Sequence, residues 1–137
     1  AADEVIVVTV PDPAAITDAY ATIKITSKTQ SFVHLLLNMT KNEKEAQLIF
    51  EKINKVAQAN IGGGLKLNLI GKLPADKVVS TSIKQRTLFT NDAPNSLASI
   101  DMKRIVNNLV YKMERKVLKN DTSKSFGSFF KRIIEQF

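Results

Sequence analysis

The fold class can be predicted from the sequence VIVVTVPDP at residues 5–13. Its β-branched run is typical of a strand buried on both faces, and the two prolines end that strand. Asp12 can cap a following helix with Pro13 in its first turn, and Ile16, Ala19 and Ile23 recur at helical spacing. A strand that leads directly into a helix predicts the first unit of an α/β fold.

The same alternation repeats along the chain. Asn42 and Glu45 form the pattern of a capping box, Pro74 ends a strand, and Asp76 can cap the next helix. The predicted segments are a strand over 32–37, a helix over 42–60, a strand over 65–73 with one less covered face, a short helix from 76, and a long helix over 97–118. Parallel pairing through right-handed crossovers then predicts a partial parallel sheet of about three strands with helices on both sides.

Composition narrows the possible classes of protein. A chain of 137 residues with 44% hydrophobic content suits one domain with a sizeable core, and no apolar run approaches the roughly 18 residues of a membrane-spanning helix. The absence of cysteine excludes disulfides and thiolate metal sites. The net charge of +7 is concentrated in residues 101–137. A basic end favours nucleic acid or an anionic membrane surface as partner, although a solvated charged helix is an equally good interpretation.

Polar and turn-forming residues follow each predicted strand, at 11–13, 38–40 and 74–76. The carboxyl ends of parallel strands meet at one edge of the sheet, so these loops are expected to lie together. Asn38 offers both a donor and an acceptor to a nucleobase edge, and the turn at Pro74 and Asp76 offers rigid backbone groups beside it. The same residues are also ordinary formers of turns.

The last fourteen residues combine an apolar stripe with basic residues. The stripe consists of Phe126, Phe129, Phe130, Ile133, Ile134 and Phe137, and Lys124, Lys131 and Arg132 accompany it. We predict an amphipathic helix over 124–137, joined by a linker at 120–123 to a domain over 1–119. The helix could be buried in a membrane surface, in a groove of a partner, or against the core of its own domain.

The chain resembles MinD/ParA-type ATPases, most closely the FlhG group of flagellar-number regulators, also called FleN or YlxH. The resemblance rests on DEVIVVTVPDPAAITDAY at 3–20, LLLN at 35–38, GKLPAD at 71–76 and the turn at 91–99. It covers only the C-terminal half of the family's Rossmann-like P-loop fold, so the chain is expected to be a truncated or proteolysed product. The sequence contains no Walker A loop, and the glycines at 62–64 precede a strand and cannot replace it. We therefore predict no catalytic residue, no metal ligand and no ATP hydrolysis by this chain alone.

The resemblance assigns further roles to this sequence. It implies ATP or ADP with magnesium as cofactor of the intact protein, with none bound by this chain, and it places Asn38, Pro74 and Asp76 on the adenine side. It implies a cytoplasmic protein whose tail attaches reversibly to the inner face of the cytoplasmic membrane. The implied partners are a second copy, the FlhF GTPase and flagellar switch proteins.

Predictions for the first strand and for His34 do not depend on the roles implied by the resemblance. A missing N-terminal half would leave the first strand with an exposed apolar edge, which predicts self-association as a homodimer or other assembly. His34 lies in an apolar strand and is interpreted as a packed or hydrogen-bonded residue without catalytic chemistry. The alternative function is a basic, non-enzymatic module that binds nucleic acid or a partner protein.

Overall fold

The computed structural model describes residues 2–119, 131 and 133–136. It contains strands β1 (Ile6–Thr9), β2 (Phe32–Thr40) and β3 (Lys66–Pro74), and helices α1 (Pro13–Thr26), α2 (Glu43–Ile61), α3 (Lys77–Gln85), α4 (Phe89–Asp92) and α5 (Leu97–Lys119). Residues 131 and 133–135 are also helical. The predicted order of strands and helices is confirmed, and α4 is an addition to it.

The three strands form one parallel sheet in the order β1-β2-β3. Ile6 pairs with His34 and Thr9 with Leu37, while Leu35 pairs with Leu69. Helices α1 and α2 supply the two crossovers that parallel neighbours require. The predicted fold class, a partial parallel α/β sheet with flanking helices, is confirmed.

The helices begin where the sequence places capping side chains. Asp12 Oδ1 accepts hydrogen bonds from the backbone N–H groups of Ala14 and Ala15 at 3.0 and 3.1 Å. Asn42 Oδ1 accepts a hydrogen bond from Glu45 N at 2.9 Å, and Glu45 Oε2 accepts one from the backbone N–H of Lys41 at 2.7 Å. These bonds satisfy backbone donors that have no partner within the first helical turn.

Two cores lie on opposite faces of the sheet. The larger one joins α1 and α2 to the sheet through Val7, Ala19, Ile23, Val33, Leu35, Leu37, Ala46, Ile53 and Leu65. The smaller one lies under α5 and consists of Leu36, Ile70, Leu73 and Ile105. Helices therefore cover both faces of the sheet at β2 and β3, as predicted.

The prediction that the first strand is buried on both faces is wrong. Val7 and Thr9 are buried, but Ile6 is 40% exposed and Val8 is 56% exposed. The reason is that α5 packs on β3, so that no helix among the described residues covers the same face of β1. This apolar edge strand is the feature from which self-association was expected, and self-association itself stays a prediction.

Candidate functional site

The carboxyl ends of the strands bring the predicted loops together. Thr40 pairs with Pro74, its Oγ1 donates to the carbonyl of Leu73 at 3.2 Å, and its own carbonyl accepts from Ala75 N at 3.3 Å. Pro11 and Asn42 line one cavity of about 480 Å³ between the start of α1 and α2. The end of β2 therefore adjoins the turn after β3 on one side and the loop after β1 on the other.

Asn38 lies at an irregularity of β2. Leu37 pairs with Lys72 and Thr40 with Pro74, so β2 contains one extra residue at this point. Met39 takes a left-handed conformation with φ of 58°, which is costly for a residue with a side chain. Bulges of this kind bend a strand and redirect its side chains, and they occur often beside functional sites.

The bulge leaves Asn38 with hydrogen-bonding capacity. Its Oδ1 accepts from the N–H of Met39 at 2.9 Å. Within the described residues its Nδ2 group donates to no protein acceptor, and the side chain is half-buried. An amide held by its oxygen and free at its nitrogen can donate to an acceptor on a nucleobase edge.

Asp76 joins the starts of two helices. Its Oδ1 accepts from Val78 N at 2.9 Å at the beginning of α3, and its Oδ2 accepts from Ala98 N at 3.5 Å at the beginning of α5. Both carboxylate oxygens of Asp76 thus accept hydrogen bonds from helix starts. Pro74, which is half-buried, is the last residue of β3 and lies two positions before Asp76. The structure gives Asp76 a positioning role in the turn, and a contact of this turn with a base stays a prediction.

An ion pair also connects α5 to β3 near the carboxyl edge of the sheet. Lys72 Nζ donates to Asp101 Oδ2 at 2.7 Å and lies 4.0 Å from Glu43 Oε2. Asp101, which is buried, also accepts from Arg104 at 3.1 Å. The charge of Lys72 is thus compensated within the fold.

The tail is described only in part. Lys131 is exposed, Ile133 is half-buried and Ile134 is 50% exposed. The other predicted membrane-binding residues, Lys124, Phe126, Phe129, Phe130, Arg132 and Phe137, lie outside the described residues. Among the helices that are described, none is long and apolar enough to cross a membrane.

His34 is packed and hydrogen-bonded at the amino edge of the sheet. It is 1% exposed, its Nε2 lies 3.2 Å from Glu4 Oε2, and its Nδ1 lies 3.1 Å from the amide Nδ2 of Asn68. A carboxylate accepts and an amide NH₂ donates, so the neutral ring carries its proton on Nε2. Burial lowers the pKa of His34 from its ordinary value of 6.5, although Glu4 opposes that shift. The interpretation of His34 as a packed, hydrogen-bonded residue agrees with this geometry.

Sequence reasoning missed a cavity beside His34. It encloses about 460 Å³ between the start of β2 and the last turns of α5, and Lys112, Lys116 and Lys119 lie in its wall. Their spacing of four and then three residues was the available signal, because it places three cations on one face of a helix. No cluster of three or more His, Asp or Glu residues that could hold a metal occurs in the part of the chain that the structure describes.

Comparison with known proteins identifies relatives over most of the chain. No protein-family model matches it. It is 38% identical over 135 residues to the flagellum site-determining protein YlxH of Helicobacter pylori, an alignment that covers 98% of this chain and 45% of that protein. It is 30% identical over 107 residues to the antiactivator FleN of Pseudomonas aeruginosa, with 77% of this chain and 38% of that protein covered.

The chain thus spans less than half the length of either relative. The identity nevertheless extends across all three strands and their connecting helices, because the first alignment covers nearly every residue. The chain belongs to the FlhG group of MinD/ParA-type flagellar regulators, together with YlxH and FleN.

Proposed function

We propose that this chain is the C-terminal portion of a MinD-like ATP-binding protein that regulates flagellar number and placement. The observation that carries the proposal is the 38% identity to a flagellum site-determining protein over 98% of the chain. The regulator would work by nucleotide-switched dimerisation and reversible attachment to the inner face of the cytoplasmic membrane. The FlhF GTPase and flagellar switch proteins are its proposed partners.

The carboxyl edge of the sheet supplies the adenine side of the nucleotide site in this proposal. Asn38 presents an amide nitrogen without a protein acceptor among the described residues, and the Pro74 turn is held against β2 through Thr40. These groups fit the edge and the face of a base. The sequence contains no Walker A loop, so binding of the phosphates and of magnesium is not assigned to residues of this chain.

Binding of ATP to the full-length regulator tests the adenine side. Replacing Asn38 by Ala should weaken binding of a fluorescent ATP analogue by about tenfold, because one or two buried hydrogen bonds to the base are lost. Asn60→Ala is the matched control, since Asn60 is exposed on α2 and its amide donates to the carbonyl of Val56 in the same helix. Equal affinity of the two variants would remove Asn38 from the nucleotide site.

The tail supplies the membrane contact. Burying a phenylalanine contributes about 1.5–3 kcal/mol, so changing both Phe129 and Phe130 to Glu should weaken binding to anionic vesicles by at least about a hundredfold. The control variant changes Ser128 and Gln136 to Glu, which adds the same charge on the polar face of the predicted helix. Flotation with vesicles measures both variants. Equal losses would mean that charge alone drives binding, which would contradict insertion of the stripe.

Two further measurements separate this function from the alternative. Cells that produce the full-length protein with both phenylalanines changed should carry an abnormal number of flagella, counted by electron microscopy, while the polar-face variant should retain the normal number. Tight, salt-sensitive DNA binding that is unaffected by the phenylalanine changes would instead support a basic nucleic-acid module.

A further inference from the structure

Four of the nine residues that line the cavity at the amino edge of the sheet carry positive charge. These basic side chains come from the last two turns of α5 and are Lys112, Arg115, Lys116 and Lys119. Among the described residues Glu4 is the one carboxylate in that wall. Its oxygens are 2.9 Å from Lys116 Nζ and 3.2 Å from His34 Nε2, so its charge is already shared.

Two of the remaining cations contact aromatic rings. Lys112 Nζ lies 5.5 Å from the centre of the Phe32 ring, and the Arg115 guanidinium lies 5.6 Å from the centre of the Tyr111 ring. Such contacts orient a cation but do not neutralise it. Burial lowers the pKa of Lys112, and the nearby carboxylate of Glu4 opposes that shift only in part. A cavity with this surplus of positive charge attracts an anion.

The position of the cavity narrows the choice of anion. Lys119 is the last residue of α5, and the apolar stripe of the tail begins at Phe126, seven residues later. An extended connection of that length spans at most about 25 Å, at roughly 3.5 Å per residue. When the stripe lies in a membrane, the mouth of the cavity is therefore held within reach of the headgroup layer. This step depends on the tail function proposed above.

We propose that the cavity binds the phosphate of an anionic phospholipid headgroup. The lysine ammonium groups would neutralise the phosphate, the Arg115 guanidinium could donate two parallel hydrogen bonds to it, and the rings of Phe32 and Tyr111 would pack against the glycerol carbons. Proteins anchored by one acyl chain need a second membrane signal for stable attachment, and a headgroup contact would likewise add to the affinity of a short amphipathic helix. The chain would thus hold the membrane through its tail and through the end of α5.

A water-soluble lipid provides the direct test. Dihexanoylphosphatidylglycerol, kept below its micelle concentration, is titrated into the isotopically labelled chain while backbone NMR signals are followed. The signals of Ser31, Phe32 and Lys112 should shift in a saturable manner. Absence of shifts at these positions would overturn the proposal.

Charge variants show whether binding occurs in the cavity. Changing both Lys112 and Lys119 to Gln should weaken the affinity for the soluble lipid by about fivefold for each cation removed. The control changes Lys84 and Lys103, two exposed lysines outside the cavity, and removes the same net charge. Equal weakening in both variants would indicate general attraction and refute a site.

The Glu4→Gln variant gives a result of opposite sign. Removing the carboxylate from the wall releases Lys116 for the ligand and should tighten binding, whereas damage to the cavity would weaken it. Weaker binding by this folded variant would therefore contradict the proposal. Inorganic phosphate or a single-stranded oligonucleotide that bound as tightly as the lipid would also overturn the assignment to a headgroup.

The two membrane contacts can fail separately. The variant with Phe129 and Phe130 changed to Glu should lose vesicle binding but bind the soluble lipid as the unchanged chain does. Vesicle binding that survives these changes refutes the tail function alone. Normal vesicle binding by the Lys112 and Lys119 variant refutes the cavity as a membrane contact while leaving the tail function intact.

Discussion

Gly71 permits the close approach of α5 to the sheet. A Cβ atom built on Gly71 would clash with Cγ1 of Ile105 and lie 3.3 Å from Cδ1 of the same side chain. Ile105 is buried in the core under α5, so it has little room to retreat. Replacing Gly71 by Ala should therefore displace α5 from β3.

Two opposing effects determine how much stability Gly71→Ala should lose. Overpacking a core costs about 1–3 kcal/mol. Gly71 has no left-handed backbone, so alanine should gain about 0.5–1 kcal/mol from its lower entropy in the unfolded chain. The middle values of these two ranges give a net loss of about 1.25 kcal/mol in the free energy of unfolding. With a urea dependence of about 2 kcal/mol per molar, the midpoint of urea unfolding should fall by roughly 0.6 M.

A double-mutant cycle assigns the loss to this contact. Ile105→Ala alone should cost about 2–5 kcal/mol, but it removes the atoms with which the new methyl group clashes. The double variant should thus be more stable than the sum of the two losses predicts, by about 1 kcal/mol. Gly63→Ala is the control, because a Cβ there meets no atom within 4 Å. Additive losses, or an unchanged midpoint for Gly71→Ala, would refute the reasoning.

Three further predictions concern stability and use the same urea assay. Burial lowers the pKa of His34, so the unfolded chain takes up the proton at a higher pH than the folded chain does, and the free energy of unfolding should fall as the pH drops through 6.5. A His34→Gln variant should lose less stability over that pH range. An equal loss in both proteins would show that the pH dependence does not come from His34. Asp101→Asn should lower the free energy of unfolding by about 1–3 kcal/mol, and by more than Lys72→Met does, since Asp101 pairs with both Lys72 and Arg104. A larger loss for Lys72→Met would contradict a central role of Asp101 in these ion pairs. Asp76→Ala should cost more than the roughly 1 kcal/mol of Asp12→Ala, because Asp76 serves two helix starts; equal costs would mean that its contact with α5 contributes little.

Local chemistry explains what the sequence made predictable. Asp12, Asn42 and Asp76 were expected to cap helices, and each side chain accepts a hydrogen bond at the predicted helix start. Capping depends only on residues two to four positions away, so a short stretch of sequence contains the whole cause. The meeting of the loops after β2 and β3 was predictable for a related reason, since parallel pairing aligns the ends of the strands.

The features that sequence missed depend on contacts between distant segments. Exposure of Ile6 and Val8 follows from where α5 packs, and nothing within β1 encodes that position. The second strand was expected to end at Leu37, but it continues to Thr40 through the bulge at Met39. Neither Asn38 nor Met39 is a residue whose type demands a bulge, so only the pairing with β3 reveals it.

Helix α5 connects the two regions for which we propose functions, the turn after β3 and the cavity at the amino edge of the sheet. Its start is bonded to the turn after β3 through Asp76, and its end forms the wall of the cationic cavity before the tail. A continuous helix of 23 residues is about 35 Å long and transmits a displacement of one end to the other. A nucleotide that moved the turn would therefore also move the end of α5 for which we propose a membrane contact, if α5 shifts along β3 as one body. The close contact between Gly71 and Ile105 sets the position of α5 on β3. In Gly71→Ala the helix should already be displaced before the nucleotide binds. Vesicle binding by the full-length variant should therefore depend less on ATP. Unchanged dependence on ATP in that variant would mean that the two regions communicate through another element.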